Sequence, residues 1–187
     1  TDASVLREGN FVKIRVSETG VHILTYETLE SWGLKPAQLR ILGYGGGMLS
    51  ENFTLHHWDD LPSVAFYMHK GADGVFNAGD YVLFYAQGPV TWTSDKQGRW
   101  RHTQNPYSHY GYYFLSDNAG EQRLINMSEA FNSDMSDVID VDWYTNYQVH
   151  EKDEVNLIDL TGVSGGGREF YGEMLNENNK TLTLNFA

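Results

Sequence analysis

The chain contains no cysteine. That excludes disulfides, thiolate metal sites and a cysteine nucleophile within these residues, and leaves the compartment open. It also has no basic run, and its formal net charge is -12. Nucleic-acid binders gather Lys and Arg on one face, so a nucleic-acid partner is excluded. An anionic membrane surface would repel such a chain. The longest apolar run, Tyr81 to Ala86, is far too short to span a bilayer, so direct membrane insertion is not expected. The sequence starts at Thr1 without Met or an apolar leader, which reads as a signal peptide already removed. No internal repeat and no low-complexity tract occurs.

What remains is a globular composition. The chain has 187 residues, 41% hydrophobic and 20% charged, which suffices for a real core. Aromatics reach 14%, which favours strands. The stretch GADGVFNAGDYVLFYAQGP, Gly71 to Pro89, dominates the pattern: a glycine- and acid-rich turn feeds an apolar strand closed by Gly-Pro. Tyr81 to Ala86 is apolar on both faces, which predicts a central strand covered on both sides.

The rest of the chain follows in short pieces. Phe11 to Val16 alternates, with Val12, Ile14 and Val16 facing one way and Lys13 and Arg15 the other. Ser17 to Gly20 reads as a turn, with Val21 to Leu24 as the hairpin partner. Thr25 is placed to cap a helix over Tyr26 to Trp32, whose Tyr26, Leu29 and Trp32 share a face; Gly33 and Pro36 stop it. Further strands are predicted over 39–42, 61–69, 90–92, 110–115 and 123–125. Trp100 to Ser108 reads as a polar, aromatic loop. Residues 126–142 read as a short helix or a loop, and 143–150 alternate aromatic and polar residues. A second helix is predicted over 151–160, a connector over 161–167, and strands over 168–174 and 181–186. Many short strands with one or two short helices give a mainly β domain, a β-sandwich or barrel-like fold. The division expected is an N-terminal β domain over 1–150, then over 151–187 a connector and the first strands of a following segment, with partners beyond Ala187.

Five local patterns bear on chemistry. Asp73, Asn77 and Asp80 place three oxygen side chains on one tight turn, a candidate calcium site, although the spacing of an EF-hand is absent. The alternative is a turn whose Asp and Asn bond their own backbone. His56-His57 with Asp59-Asp60 resembles a metal cluster, but neighbouring His side chains on an extended chain point apart, so a solvated loop is the simpler reading. Gly43 to Gly47 lacks the Gly-Lys-Ser/Thr ending of a phosphate loop and the last glycine of the dinucleotide fingerprint, Met48 standing there. Ser164 in Gly162-Val163-Ser164-Gly165-Gly166 lacks the preceding acid and the upstream His of a trypsin-like nucleophile. Trp92, Trp100, Tyr107 and Tyr110 are candidates to stack on sugars or peptides, against the commoner role of strand aromatics in a core. No catalytic constellation emerges, and sequons at Asn52, Asn126 and Asn179 carry weight only in a glycosylating source.

Five blocks, taken in order, resemble one family: Ser4 to Leu34 (SVLREGNFVKIRVSETGVHILTYETLESWGL), Leu39 to Leu49 (LRILGYGGGML), Ala72 to Trp92 (ADGVFNAGDYVLFYAQGPVTW), Asn105 to Leu115 (NPYSHYGYYFL), and YQVHEKDEVNLI with GREFYGE, Tyr147 to Ile158 and Gly167 to Glu173. Together they are similar to the N-terminal region of the PorU-like, gingipain-related sortases of the bacterial type IX secretion system. The resemblance implies an exported protein at the outer-membrane surface. It implies partners in a PorV-like barrel, in cargo proteins and in a downstream catalytic domain of the same polypeptide. It also implies removal of C-terminal secretion signals and transfer of the new C-terminus to anionic lipopolysaccharide, by a His-Cys pair in that later domain, a cysteine endopeptidase and transpeptidase. This chain has no cysteine, so it is expected to be non-catalytic, with no cofactor beyond the possible calcium ion. The alternative is a free-standing surface module that binds glycans or proteins, and a stand-alone hydrolase is disfavoured for want of a nucleophile.

Overall fold

A computed structural model describes residues 3–55, 57–118, 120–126, 142–143, 150–152, 154–156, 170–176, 178 and 181–184. The chain forms two compact units, Thr1–Ala130 and Phe131–Ala187. Among the described residues the first holds eight strands: β1 (Phe11–Val16), β2 (Gly20–Thr25), β3 (Arg40–Leu42), β4 (Phe66–His69), β5 (Tyr81–Ala86), β6 (Val90–Ser94), β7 (Trp100–Gln104) and β8 (Gly111–Ser116). One α-helix, α1 (Tyr26–Ser31), and a 3-10 turn at Pro36–Gln38 complete it.

The strands form three antiparallel sheets, in the orders β1-β8-β3, β2-β5-β4 and β6-β7. None closes into a barrel, so the mainly β expectation holds in its sandwich form. Alternation places Val12, Ile14 and Val16 inward on β1 and Tyr113 and Leu115 inward on β8. Opposite them lie Leu24 of β2, Phe66 of β4, and Val82, Phe84 and Ala86 of β5, in the same core cluster. The Phe84 and Tyr113 rings meet edge to face at 5.7 Å, which ties the first two sheets together. Leu29 of α1 and Leu34 and Leu39 around the 3-10 turn join that core.

Several expectations need correction. β1 and β2 do not form a hairpin: β1 pairs with β8, Phe11 opposite Ser116, and β2 pairs with β5, Gly20 opposite Ala86. The Ser17–Thr19 link carries the chain from one sheet to the other. The 61–69 strand contracts to Phe66–His69 for a similar reason. Ser63 bridges Leu42 and the Val64 amide donates to Ile41 (2.8 Å), so the segment starts beside β3 before it joins β5. β5 is central in its sheet, but only Val82, Phe84 and Ala86 are buried, while Tyr85 on the other face is 62% exposed. Trp100 begins strand β7 rather than a loop and pairs with Ser94. Residues 123–125 make a single parallel bridge, Leu124 to Phe66, not a strand.

The α1 reading stands within one residue. Thr25 caps it, its hydroxyl accepting from the Thr28 amide at 3.2 Å, and Trp32 is the C-cap. Gly33 follows with φ +77, the left-handed turn that glycine takes without strain. Leu29 alone of the predicted face is fully buried, and Trp32 is exposed. In the second unit, Val155 and Tyr171 pair their backbones antiparallel, each amide donating to the other's carbonyl at 2.8 Å. The helix read over 151–160 is therefore not formed at Val155. Residues 170–176 contribute only that bridge, and 181–184 are not a strand. Residues 127–141, 144–149 and 157–169, with the connector and the readings made there, lie outside the described residues, as do 185–187.

Candidate functional site

The Gly71–Asp80 turn is built by its own carboxylates. Asp73 Oδ1 accepts from the Val75 amide (2.9 Å) and Oδ2 from the Asn77 side-chain amide (2.8 Å). Asp80 is buried, and its Oδ2 accepts from the Asn77 backbone amide at 2.8 Å. Asn77 thus brings the three predicted oxygen side chains together, in the self-bonded arrangement typical of Asp and Asn in turns. The Val75 amide and, behind it, the Asn77 side chain hold the Asp73 carboxyl below the usual range. The turn is fastened to α1: Tyr26 donates to the Asp80 carbonyl (2.9 Å), and Glu27 Oε1 accepts from Gly79 (2.7 Å). Phe76 is buried with its ring 5.7 Å from that of Tyr26. Among the described residues no group of three or more His, Cys, Asp or Glu gathers as a metal ligand set.

The other motifs separate. His56 and Ser164 lie outside the described residues. The His57 ring spans two backbone carbonyls, Leu55 at 2.7 Å and Ser50 at 3.1 Å. Asp60 turns away to the N-terminal lead-in, accepting from Val5 (2.5 Å), Ser4 Oγ (3.0 Å) and Leu61 (2.8 Å). Those donors, Val5 foremost and Leu61 next, lower its pKa. The candidate His/Asp cluster is thus a set of loop fasteners.

The glycine run has a packing role. The Gly46 amide donates to the Gln87 carbonyl (3.0 Å), and its carbonyl accepts from Asn105 Nδ2 (2.9 Å). A Cβ on Gly46 would sit 2.7 Å from the Gly111 Cα and from the Gly88 backbone. Three chain segments therefore meet where no side chain fits. Nearby, the buried Tyr113 hydroxyl accepts from the Gln87 amide at 2.7 Å, while burial pushes the phenol's pKa up.

This glycine bed floors an open groove of about 420 Å³ on the outer face of the β1-β8-β3 sheet. Tyr44, Tyr107, Tyr110, Tyr112 and Phe114 line it, with Lys13. Lys13 Nζ stands 4.0 Å from the Tyr112 ring centre, and the Arg15 guanidinium 4.6 Å from that of Tyr110. Each is a cation held over a π face. Of the four aromatics singled out in the sequence, Tyr107 and Tyr110 line this groove. Trp92 and Trp100 sit on the β6-β7 hairpin, Trp92 with its ring 5.3 Å from His102. Sequence reading missed Lys13, Tyr44 and Tyr112. The signal for two of them was present: alternation that turns Val12, Ile14, Tyr113 and Leu115 inward turns Lys13 and Tyr112 out.

A charged cluster in the second unit was also missed. Glu173 Oε1 takes His150 Nε2 at 2.8 Å and Lys152 Nζ at 3.1 Å. Its own backbone amide, then His150 and Lys152, lower its pKa to about 2. These contacts fasten the segments that the Val155–Tyr171 bridge already joins.

No protein-family model and no curated protein matches the chain. Among solved structures, the crystal structure of dimeric latent PorU from Porphyromonas gingivalis does match. It is 40% identical, with a TM-score of 0.56, over 66% of this chain and 11% of that one. Over that part the chain is similar to PorU, in agreement with the resemblance read from the sequence. The chain spans about a tenth of the length of the PorU it matches.

Proposed function

We propose that this PorU-like region is a non-catalytic, N-terminal β domain of a type IX secretion sortase. The observation that carries the reading is the 40% identity shared with PorU over a small fraction, 11%, of the PorU chain. The absence of any cysteine agrees with it, since thiol chemistry needs a residue these 187 positions do not supply. On this reading the protein is exported and works at the outer-membrane surface beside a PorV-like barrel. The domain packs on, positions or gates a downstream cysteine endopeptidase and transpeptidase acting on cargo C-terminal signals. No helix among the described residues is long and apolar enough to cross a membrane, so nothing in them anchors the domain by a helical span.

The test is genetic and then biochemical. The reading frame past codon 187 is expected to enter a gingipain-like domain with a His and a Cys; a stop codon soon after Ala187 overturns the proposal. Deleting the present domain from the intact protein is then expected to impair cargo processing while the downstream thiol still reacts with an alkylating probe. A free-standing binding module is the second reading, favoured by the tyrosine-lined groove and supported by that early stop codon.

A further inference from the structure

The outer face of the β2-β5-β4 sheet breaks a rule that β1 keeps. An antiparallel strand with one face in water alternates apolar inside with polar outside. β1 does so: Val12, Ile14 and Val16 point inward, Lys13 and Arg15 outward. On β2 and β5 the outward positions are apolar as well. Strand register sets Ile23, Leu83 and Tyr67 side by side in one row, and Val21 beside Tyr85 in the next. These five side chains share the face that turns away from Leu24, Val82 and Phe84 of the core. Val21, Ile23 and Tyr85 are exposed, and Leu83 and Tyr67 are only half-buried. No Asp, Glu, Lys or Arg takes an outward position on the three strands, in a chain with 25 acidic and 13 basic residues. A contiguous apolar patch of this kind marks an interaction surface.

Three occupants differ in what they need. A lipid surface is approached with Lys and Arg beside the apolar side chains, and this face has neither. A second copy would bring together two chains of net charge -12, and such charge keeps molecules apart. A following part of the same polypeptide is held near by its tether, at high effective concentration. The match to PorU spans 11% of that chain, so on the sortase reading, on which this inference rests, most of the polypeptide lies outside these residues and can cover the face. We infer that the outer face of the β2-β5-β4 sheet is the docking surface for the part of the polypeptide that follows Ala187, which meets it with a flat, apolar, uncharged face of its own. Removal of Val21, Ile23 and Tyr85 from water supplies the attraction. The apolar pattern on both sides of Tyr81–Ala86 is then that of a strand covered twice, once by the core and once by the docked part.

Thiol labelling tests this. The 187 positions hold no cysteine, so a thiol placed among them is identified by its own peptide in a mass spectrum. Val21→Cys and Tyr85→Cys are expected to react quickly with a maleimide in the 187-residue chain, and about tenfold more slowly in the intact polypeptide, where reaction waits on release of the docked part. Phe53→Cys, at a position 90% exposed, should react alike in both. Ile23→Glu should leave the melting curve of the 187-residue chain unchanged, as at an exposed site, and should return Val21→Cys in the intact polypeptide to the fast rate. Equal rates for Val21→Cys in the two contexts overturn the inference and leave the sortase reading standing. Equal slowing at Phe53→Cys overturns it too, since the shielding would then not belong to this face. Protection already present in the 187-residue chain and lost on dilution assigns the face to a second copy instead. A stop codon soon after Ala187 overturns this inference and the sortase reading together.

Discussion

Asp73 shows how much a single carboxylate does in this fold: each oxygen holds an amide that the Gly71–Asp80 turn would otherwise leave unpaired. Asp60 and Glu27 act likewise on the N-terminal lead-in and on Gly79, Glu27 with its pKa lowered first by its own backbone amide and then by Gly79. All three have folded pKa values below their ordinary ones. Their contribution to stability is thus fully present above the unfolded values, about 4, and is lost as pH falls through the lower folded values. An acid titration of the melting temperature is expected to fall below about pH 4, and to fall less steeply in Asp73→Asn. Both Asp73 oxygens already have donors, so millimolar calcium or a chelator is expected to leave the melting temperature unchanged; a rise with calcium would establish an ion site by mass action. Gly46 is the steric counterpart. Gly46→Ala forces a Cβ against the backbones of Gly88 and Gly111, and urea unfolding should show a loss of about 1–3 kcal/mol.

Strands behave differently on their two faces, and β5 makes the contrast measurable. Phe84→Ala removes a buried ring and should cost about 3–5 kcal/mol in urea unfolding. Tyr85 lies one residue on and is exposed, with Val21 opposite it on β2 at 69% exposure and Ile23 two positions along at 59%. Val21→Thr and Ile23→Thr should stay within about 0.5 kcal/mol of the parent. Equal losses from both kinds of change would contradict the one-sided burial of β5. The same strand shows what was legible in the sequence. Its existence and limits follow from a local apolar run between Asp80 and Gly88-Pro89. Which of its faces is covered does not, because Tyr, Leu and Val read as apolar wherever they lie. Pairing was less legible still. The Ser-Glu-Thr-Gly turn looks like a hairpin loop, yet β1 finds β8 because the two match in alternation and the link crosses between sheets. In the site, the turn carboxylates could be read from local spacing. The groove could not, since Lys13, Tyr44 and Tyr112 are distant in sequence and meet only through strand pairing.

At the scale of the molecule, the first unit holds all eight named strands and the core that joins its two main sheets. Residues 1–130 expressed alone are therefore expected to unfold in one cooperative transition, with coincident curves by circular dichroism and tryptophan fluorescence. Separate curves would show that the second unit is needed to complete the first. The order of pairing has a further consequence. β1 leaves Phe11 opposite Ser116, and β3 leaves Arg40 opposite the same Ser116 on its other side. β1 must wait, without its partner strand, for the last strand of the unit to be made, and β3 meets only the Ser63–Val64 segment before then. Such long loop closures slow folding towards the millisecond-to-second range. In a polypeptide threaded through a pore from its N-terminus, this sheet would stay open until Ser116 emerged. The groove on its outer face would not exist before then, because Tyr110, Tyr112 and Phe114 belong to that last strand and its approach.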